Sequence, residues 1–273
     1  MTIRSFFALS AFALTLSGFA AVPAERPRVE PFDVKGKVVR KTDLWHGFER
    51  TKFTFNGRTA WIVKPSVAPL KGLPWTWTMQ WAEAFVPRTG VLDLLAKGYH
   101  HVTLEAFDLR ATEAGLAEFA AFQEFLVKEL HFAPKANLVG MSWGGFFSVR
   151  YAAAYPQNVR RVYLDAPLLN FDGFAPDRIG PWQKAAPADG IWSDDPRMPV
   201  NLAAPLARTG IPVLLLYGGK DLTVPPEKNC LLFIPRFQKA GGQIEVVARP
   251  EFGHHPHGLD VGKTQKIVDF FSL

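Results

Sequence analysis

Gly140-Met141-Ser142-Trp143-Gly144-Gly145 decides how this chain reads. The six residues fit G-x-S-x-G. The short apolar run Ala136 to Val139 precedes them and reads as a buried strand. Gly144 to Ala154 follows and reads as a helix. The chain must reverse sharply between the two. The serine backbone is therefore expected to be strained, at a cost on the order of 1–3 kcal/mol. Side chains at 140 or 144 are expected to collide across the turn. Such a turn pushes the Ser142 hydroxyl into the open, at the positive end of the helix.

Outward from this turn, strand-like and helix-like runs alternate. Upstream lie strands at Pro74 to Gln80 and His101 to Glu105, with helices at Val91 to Lys97 and Thr112 to Leu130. The long helix carries an apolar stripe of Leu116, Phe119, Ala120, Phe122, Leu126 and Leu130. Downstream come strands at Arg161 to Asp165, Pro212 to Tyr217 and Gln243 to Ala248. Helices are expected at Pro226 to Ala240 and Gly262 to Phe271. Strands joined through helices need crossover connections, so the fold class is α/β with a mostly parallel central sheet and helices on both faces. Near the start, Val34 to Val39, Lys52 to Phe55 and Arg58 to Val63 read as strands. Asn56-Gly57 makes a hairpin turn between the last two, which predicts an antiparallel edge. One stretch breaks the alternation. Leu168 to Arg208 is rich in Pro, Gly, Asp and Trp and is far longer than an ordinary connection. It reads as a small cap, placed at 169–208.

A serine hydroxyl is a weak nucleophile without an imidazole in hydrogen-bond reach, itself held by a carboxylate. In this topology both belong at the carboxyl ends of later strands. Strand 212–217 runs into Gly218-Gly219-Lys220-Asp221, and strand 243–248 into Arg249-Pro250-Glu251-Phe252-Gly253-His254. The order Ser, Asp, His is the one that accompanies the G-x-S-x-G turn. Asp165 is the rival acid, since it ends the strand after the turn's helix. His254, His255 and His257 all stand in the last loop as candidate bases.

With these motifs in view, the chain from about Trp61 to Leu273 resembles the α/β-hydrolase superfamily. GMSWGG, YGGKDLTVP and FGHHPHG carry the resemblance. Within it the chain is similar to exported serine esterases of the acetylxylan-esterase-like and prolyl-oligopeptidase-like groups. The resemblance implies the α/β-hydrolase fold, Ser142 as nucleophile, Asp221 as acid and a last-loop histidine as base. Family loops place that base directly after a glycine, which favours His254 over His255 and His257. One oxyanion donor is expected at the backbone N–H of Trp143. The second usually comes from a glycine-marked loop after the third strand. Here that loop, Met79-Gln80-Trp81-Ala82, has no glycine, and Ala82 is the expected donor.

The resulting expectation is a serine hydrolase cleaving a carboxylic ester through an acyl-enzyme. A glycan substrate is suggested by Trp75, Trp77, Trp81, Trp182 and Trp192, because sugars stack on such rings. The alternatives are a serine peptidase of the prolyl-oligopeptidase-like type and a non-enzymatic binding protein on the same fold. No metal or organic cofactor is called for. The histidine cluster lacks H-E-x-x-H or cysteine partners for a metal. Cys230 is the single cysteine of the chain, so no internal disulfide can form.

Composition limits the remaining classes. The 273 residues are 48% hydrophobic and 21% charged, enough to bury a full core. The 31 Lys+Arg against 25 Asp+Glu are spread without a basic run, which argues against a nucleic-acid partner. Arg4 followed by the uncharged apolar stretch Ser5 to Ala21, with small residues at Gly18, Ala20, Ala21 and Ala24, has the form of a secretory signal. Residues 1–24 are expected to be removed, with cleavage after Ala20 or Ala24. That leaves 25–273 as one hydrolase domain, secreted or periplasmic and without a stable membrane anchor. Oligomeric state is not legible.

Overall fold

The computed structural model describes residues 29–30, 41–173 and 194–272. The expected signal segment 1–24, the expected strand Val34 to Val39 and most of the expected cap lie outside them.

Ten strands among the described residues form one sheet. The first four are β1 (Val29–Glu30), β2 (Lys41–Trp45), β3 (Phe48–Phe55) and β4 (Arg58–Val63). These pair antiparallel, β3 with β1, β2 and β4. Between β3 and β4, Asn56 and Gly57 both have positive φ, 47° and 75°. That twist matches the strands it joins, so the pair closes the hairpin as its sequence predicts.

The other six strands are β5 (Trp75–Thr78), β6 (His100–Leu104), β7 (Ala136–Met141), β8 (Val159–Asp165), β9 (Val213–Gly218) and β10 (Ile244–Arg249). They run parallel in the order β6-β5-β7-β8-β9-β10, and β4 joins β6 antiparallel. The α-helices among the described residues are α1 (Val91–Ala96), α2 (Glu113–Leu130), α3 (Trp143–Ala154), α4 (Ala203–Ala207), α5 (Cys230–Lys239) and α6 (Gln265–Ser272). Thr112 caps α2 by accepting the Gly115 N–H, and His131 closes it with φ 59°. None of the described helices is long and apolar enough to cross a membrane.

Two cores flank the sheet. The larger holds Trp75, Trp77, Phe119, Phe122, Phe146 and Phe147, under α2 and α3. The smaller holds Leu94, Tyr163, Leu214, Ile267 and Phe271, under α1 and α6. β5 and β7 are buried along their whole length and β9 along nearly all of it, and cover on both faces is why β9 reads as a nearly continuous apolar run.

Two differences from the sequence reading follow from packing. β2, a polar edge strand, was not anticipated. It turns into β3 through His46 at φ 50° and Gly47 at φ 87°. The stretch expected as a cap also rejoins the body before residue 208. Met198, Val200, Ala203 and Leu206 are buried in the larger core, and α4 packs on α3 and α5.

Candidate active site

β7 delivers Ser142 to the carboxyl edge of the sheet, and α3 starts at the next residue. Ser142 has φ 50° and ψ −117°, a conformation that side chains avoid. The turn is held shut by close approach. A Cβ on Gly140 would stand 2.6 Å from Ser148 Oγ and 2.8 Å from the Gly144 carbonyl oxygen. A Cβ on Gly145 would stand 2.3 Å from the Pro167 Cβ. Gly144 was expected to be as tight, yet its nearest neighbour would be the Gln80 nitrogen at 3.4 Å, an ordinary contact. The second indispensable glycine is therefore 145.

The later strand ends bring the partners. His254 Nε2 is 3.1 Å from Ser142 Oγ, and His254 Nδ1 is 2.7 Å from Asp221 Oδ2. Asp221 is 3% exposed and His254 9%, so solvent screens this chain weakly. The other carboxylate oxygen of Asp221 accepts the N–H groups of Thr223 (2.9 Å) and Val224 (2.8 Å), which fixes its orientation. The two loops touch through their backbones. A Cβ on Gly218 would meet the Gly253 carbonyl oxygen at 2.3 Å.

The three histidines of the last loop separate by partner. His255 is exposed and stacks on Phe85, with ring centroids 5.3 Å apart. His257 is buried and its Nδ1 lies 2.9 Å from Asp165 Oδ1. Asp165 is wholly buried. It also accepts the Tyr163 hydroxyl and the Gly258 N–H, both at 2.6 Å, with Arg249 at 3.5 Å. Burial opposes its ionisation, but the bond and charge of His257 and the charge of Arg249 outweigh that and hold its carboxyl below the usual range. Arg249 also donates to the carbonyls of Pro256 and Gly258. Asp165, the rival acid, thus clamps the base loop and does not face His254. The sequence held no signal for Arg249 in this role, because its partners lie on other segments.

One ligand atom from each of the three imidazoles lies within 4.8 Å of the others, a spacing that a cation could span. His254 is already engaged at both nitrogens, by Ser142 and Asp221.

Trp143, the first residue of α3, presents its N–H beside Ser142 at the positive end of the helix. Across from it, Gln80 is the backbone that touches the turn, with N and O at 3.4 and 3.6 Å from the Cβ position of Gly144. Ala82 lies two residues on, inside a tight turn in which the Ala84 N–H bonds the Trp81 carbonyl, and it lines the adjoining cleft. Trp75 and Trp77 are fully buried in the core, so they do not face a substrate. Trp81 is 43% exposed. Trp182 and Trp192 lie outside the described residues.

Residues 91–193 match the family described as alpha/beta hydrolase fold. No curated protein matches the chain. Solved structures do. Porphyromonas gingivalis dipeptidyl peptidase 4 aligns at TM-score 0.61 and 16% identity, over 82% of this chain and 35% of its own. A Mycobacterium tuberculosis puromycin-hydrolyzing peptidase aligns at TM-score 0.62 and 15% identity, over 90% and 39%. Pyrococcus horikoshii acylaminoacyl peptidase aligns at TM-score 0.57 and 14% identity, over 89% and 40%. The chain spans about two fifths or less of the length of these structures. It has the α/β-hydrolase fold, as its motifs imply.

Proposed function

We propose that this protein is a serine hydrolase that forms an acyl-enzyme at Ser142. The observation that carries the reading is the unbroken hydrogen-bonded chain from Asp221 through His254 to Ser142. His254 Nε2 takes the Ser142 proton as Oγ bonds to the substrate carbonyl carbon. The Trp143 N–H and a backbone N–H of the 80–82 segment, Ala82 included, donate to the oxyanion. His254 then gives its proton to the leaving amine or alcohol as the bond to it breaks. Water, deprotonated by the same imidazole, releases the acid and restores Ser142. Asp221 keeps the Nδ1 proton in place and stabilises the imidazolium.

A peptide or amide bond is the preferred target. Two points support this over a glycan ester. The solved structures it resembles are named as peptidases. Two of the tryptophans that suggested sugar stacking belong to the core. Activated esters remain substrates, since the same attack cleaves them. Export through residues 1–24 belongs to this reading, and the amino-terminal sequence of the mature exported protein tests it.

The functional test compares wild type with Ser142→Ala on aminoacyl nitroanilides, short-chain nitrophenyl esters and acetylated glycans. Nitroanilide and nitrophenyl ester turnover that vanishes in Ser142→Ala is expected. Turnover confined to glycans would restore the ester reading. Turnover that survives Ser142→Ala would refute the mechanism.

A further inference from the structure

A cleft of about 510 Å³ opens next to the Ser142 turn. Its lining comes from the carboxyl ends of β5 and β6, which follow β7 in the sheet. Neighbouring strands lie 4.7–4.9 Å apart. Glu105, just past β6, is therefore on the order of 10 Å from Ser142, just past β7. The cleft and the turn share a wall. Gln80 packs on Gly144, and the Phe107 ring meets Trp143 at 5.6 Å and Trp81 at 5.1 Å.

The lining has a definite chemical bias. Glu83 and Glu105 contribute carboxylates, and none of the described Lys or Arg residues lines the cleft. Glu83 is bonded by Arg50 and by the Trp45 indole, so its charge is already answered and Glu105 is the carboxylate left to the cleft. Glu105 is exposed, and its carboxylate has no ion pair among the described residues. Arg110 lies over the Phe107 ring, with its guanidinium carbon 3.9 Å from the centroid, which leaves Trp81 as the exposed ring. A second, independent feature points to a ligand. Gln80 is 6% exposed and lines the cleft, yet its Nε2 has no hydrogen-bond partner among the described residues. A buried amide donor calls for an acceptor, and a peptide carbonyl supplies one after a small turn of the amide.

We propose that this cleft is the subsite for a cationic nitrogen on the acyl part of the substrate, received by Glu105 and the Trp81 face, with a peptide carbonyl on Gln80. Carboxylate and aromatic face both favour a cation. An extended chain advances at most 3.3–3.6 Å per residue, so a 10 Å reach places the nitrogen about three residues from the scissile carbonyl. A free amino terminus and a basic side chain both meet this requirement. The inference rests on the serine hydrolase reading and narrows its substrate.

Four tripeptide nitroanilides test it: Lys-Ala-Ala and norleucine-Ala-Ala, each with a free and an acetylated amino terminus. The same four acyl groups as activated esters keep the comparison readable whichever bond is cut. The fully neutral compound is expected to have the lowest kcat/KM, about tenfold below the cationic ones, with the gap shrinking as salt is raised. Free against acetylated terminus, and lysine against norleucine, identify the source of the charge. Glu105→Gln should bring the cationic-to-neutral ratio from about ten to about one. Equal kcat/KM on all four, or a preference that survives Glu105→Gln, overturns the subsite while Ser142-dependent turnover keeps the hydrolase reading. Activity that persists in Ser142→Ala overturns both.

Discussion

Replacing Asp165 by Asn should cost stability far more than chemistry, and the same change at Asp221 should do the reverse. Asp165 accepts from the Tyr163 hydroxyl, the Gly258 N–H and His257, with Arg249 beside it, and it has no solvent exposure. An amide keeps one acceptor oxygen and turns the other position into a donor that faces donors. Bonds to a charged group are worth about 1.5–3 kcal/mol each, and breaking a buried charged pair costs about 3–5 kcal/mol. A loss of about 3–5 kcal/mol lowers Tm by roughly 6–20 °C in a chain of this size. His254 would still touch Ser142 and Asp221, so kcat should fall by about tenfold at most. In Asp221→Asn, the oxygen can keep the Thr223 and Val224 amides while the new NH₂ meets His254 Nδ1. The imidazole then holds its proton on the wrong nitrogen, and losses of about 10⁴ in kcat follow from that fault. Its Tm should move by only a few degrees. Thermal denaturation and kcat on a Ser142-dependent substrate, measured for both variants, decide the matter. If Asp165→Asn loses as much kcat as Asp221→Asn at unchanged Tm, the acid has been misassigned.

Further outcomes follow from the same geometry. Ser142→Gly removes the side chain that strains the turn, so it should raise stability by about 1–2 kcal/mol while abolishing turnover; a Tm equal to wild type would contradict the strain. Gly145→Ala should destabilise by several kcal/mol or prevent folding, because its Cβ would overlap Pro167, whereas Gly144→Ala should fold with near-wild-type Tm. Acid should unfold the protein through His100 and His101, whose rings burial pushes down to about 4 and about 3 from near 6.5. The unfolded chain binds protons that the folded one refuses, so their stabilisation is complete above about pH 6.5 and is lost as pH falls toward about 4 for His100 and about 3 for His101. The slope is at most about 1.4 kcal/mol per pH unit for each ring. Denaturant titrations of wild type and His101→Gln between pH 7 and pH 4.5 should show a shallower slope in the variant.

The residues that could be read without coordinates share one property: their meaning is local. Asn56-Gly57 forms its turn because both residues accept positive φ. The G-x-S-x-G run announces a strand, a sharp reversal and a helix within a few residues. The acid and base loops stood out because they end strands. Other features depended on distant partners. β2 is short, polar and exposed along most of its length, so it carries little strand pattern, and pairing with β3 defines it. Gly145 needs its missing side chain because of Pro167, 22 residues on, and the sequence reading gave that constraint to Gly144 instead. The tryptophans misled for the same reason. Composition cannot tell an indole in a core from one at a surface, and Trp75 and Trp77 lie between sheet and helices.

By itself the amino-acid order determined the α/β alternation, the strained serine turn and the loops from which an acid and a base would come. Periodicity, turn propensity and order along the chain are local quantities, and they suffice for that. Tertiary structure alone decided which carboxylate meets which imidazole. His254 and His257 are three residues apart, yet one faces Asp221 and Ser142 while the other is held by Asp165. It also decided that Gln80, Trp81 and Glu105 share one cleft, because β5 and β6 are neighbours only through the crossover order of the sheet. Hydrogen bonds and charges act over a few ångströms of space, and only the folded sheet converts sequence separation into such distances.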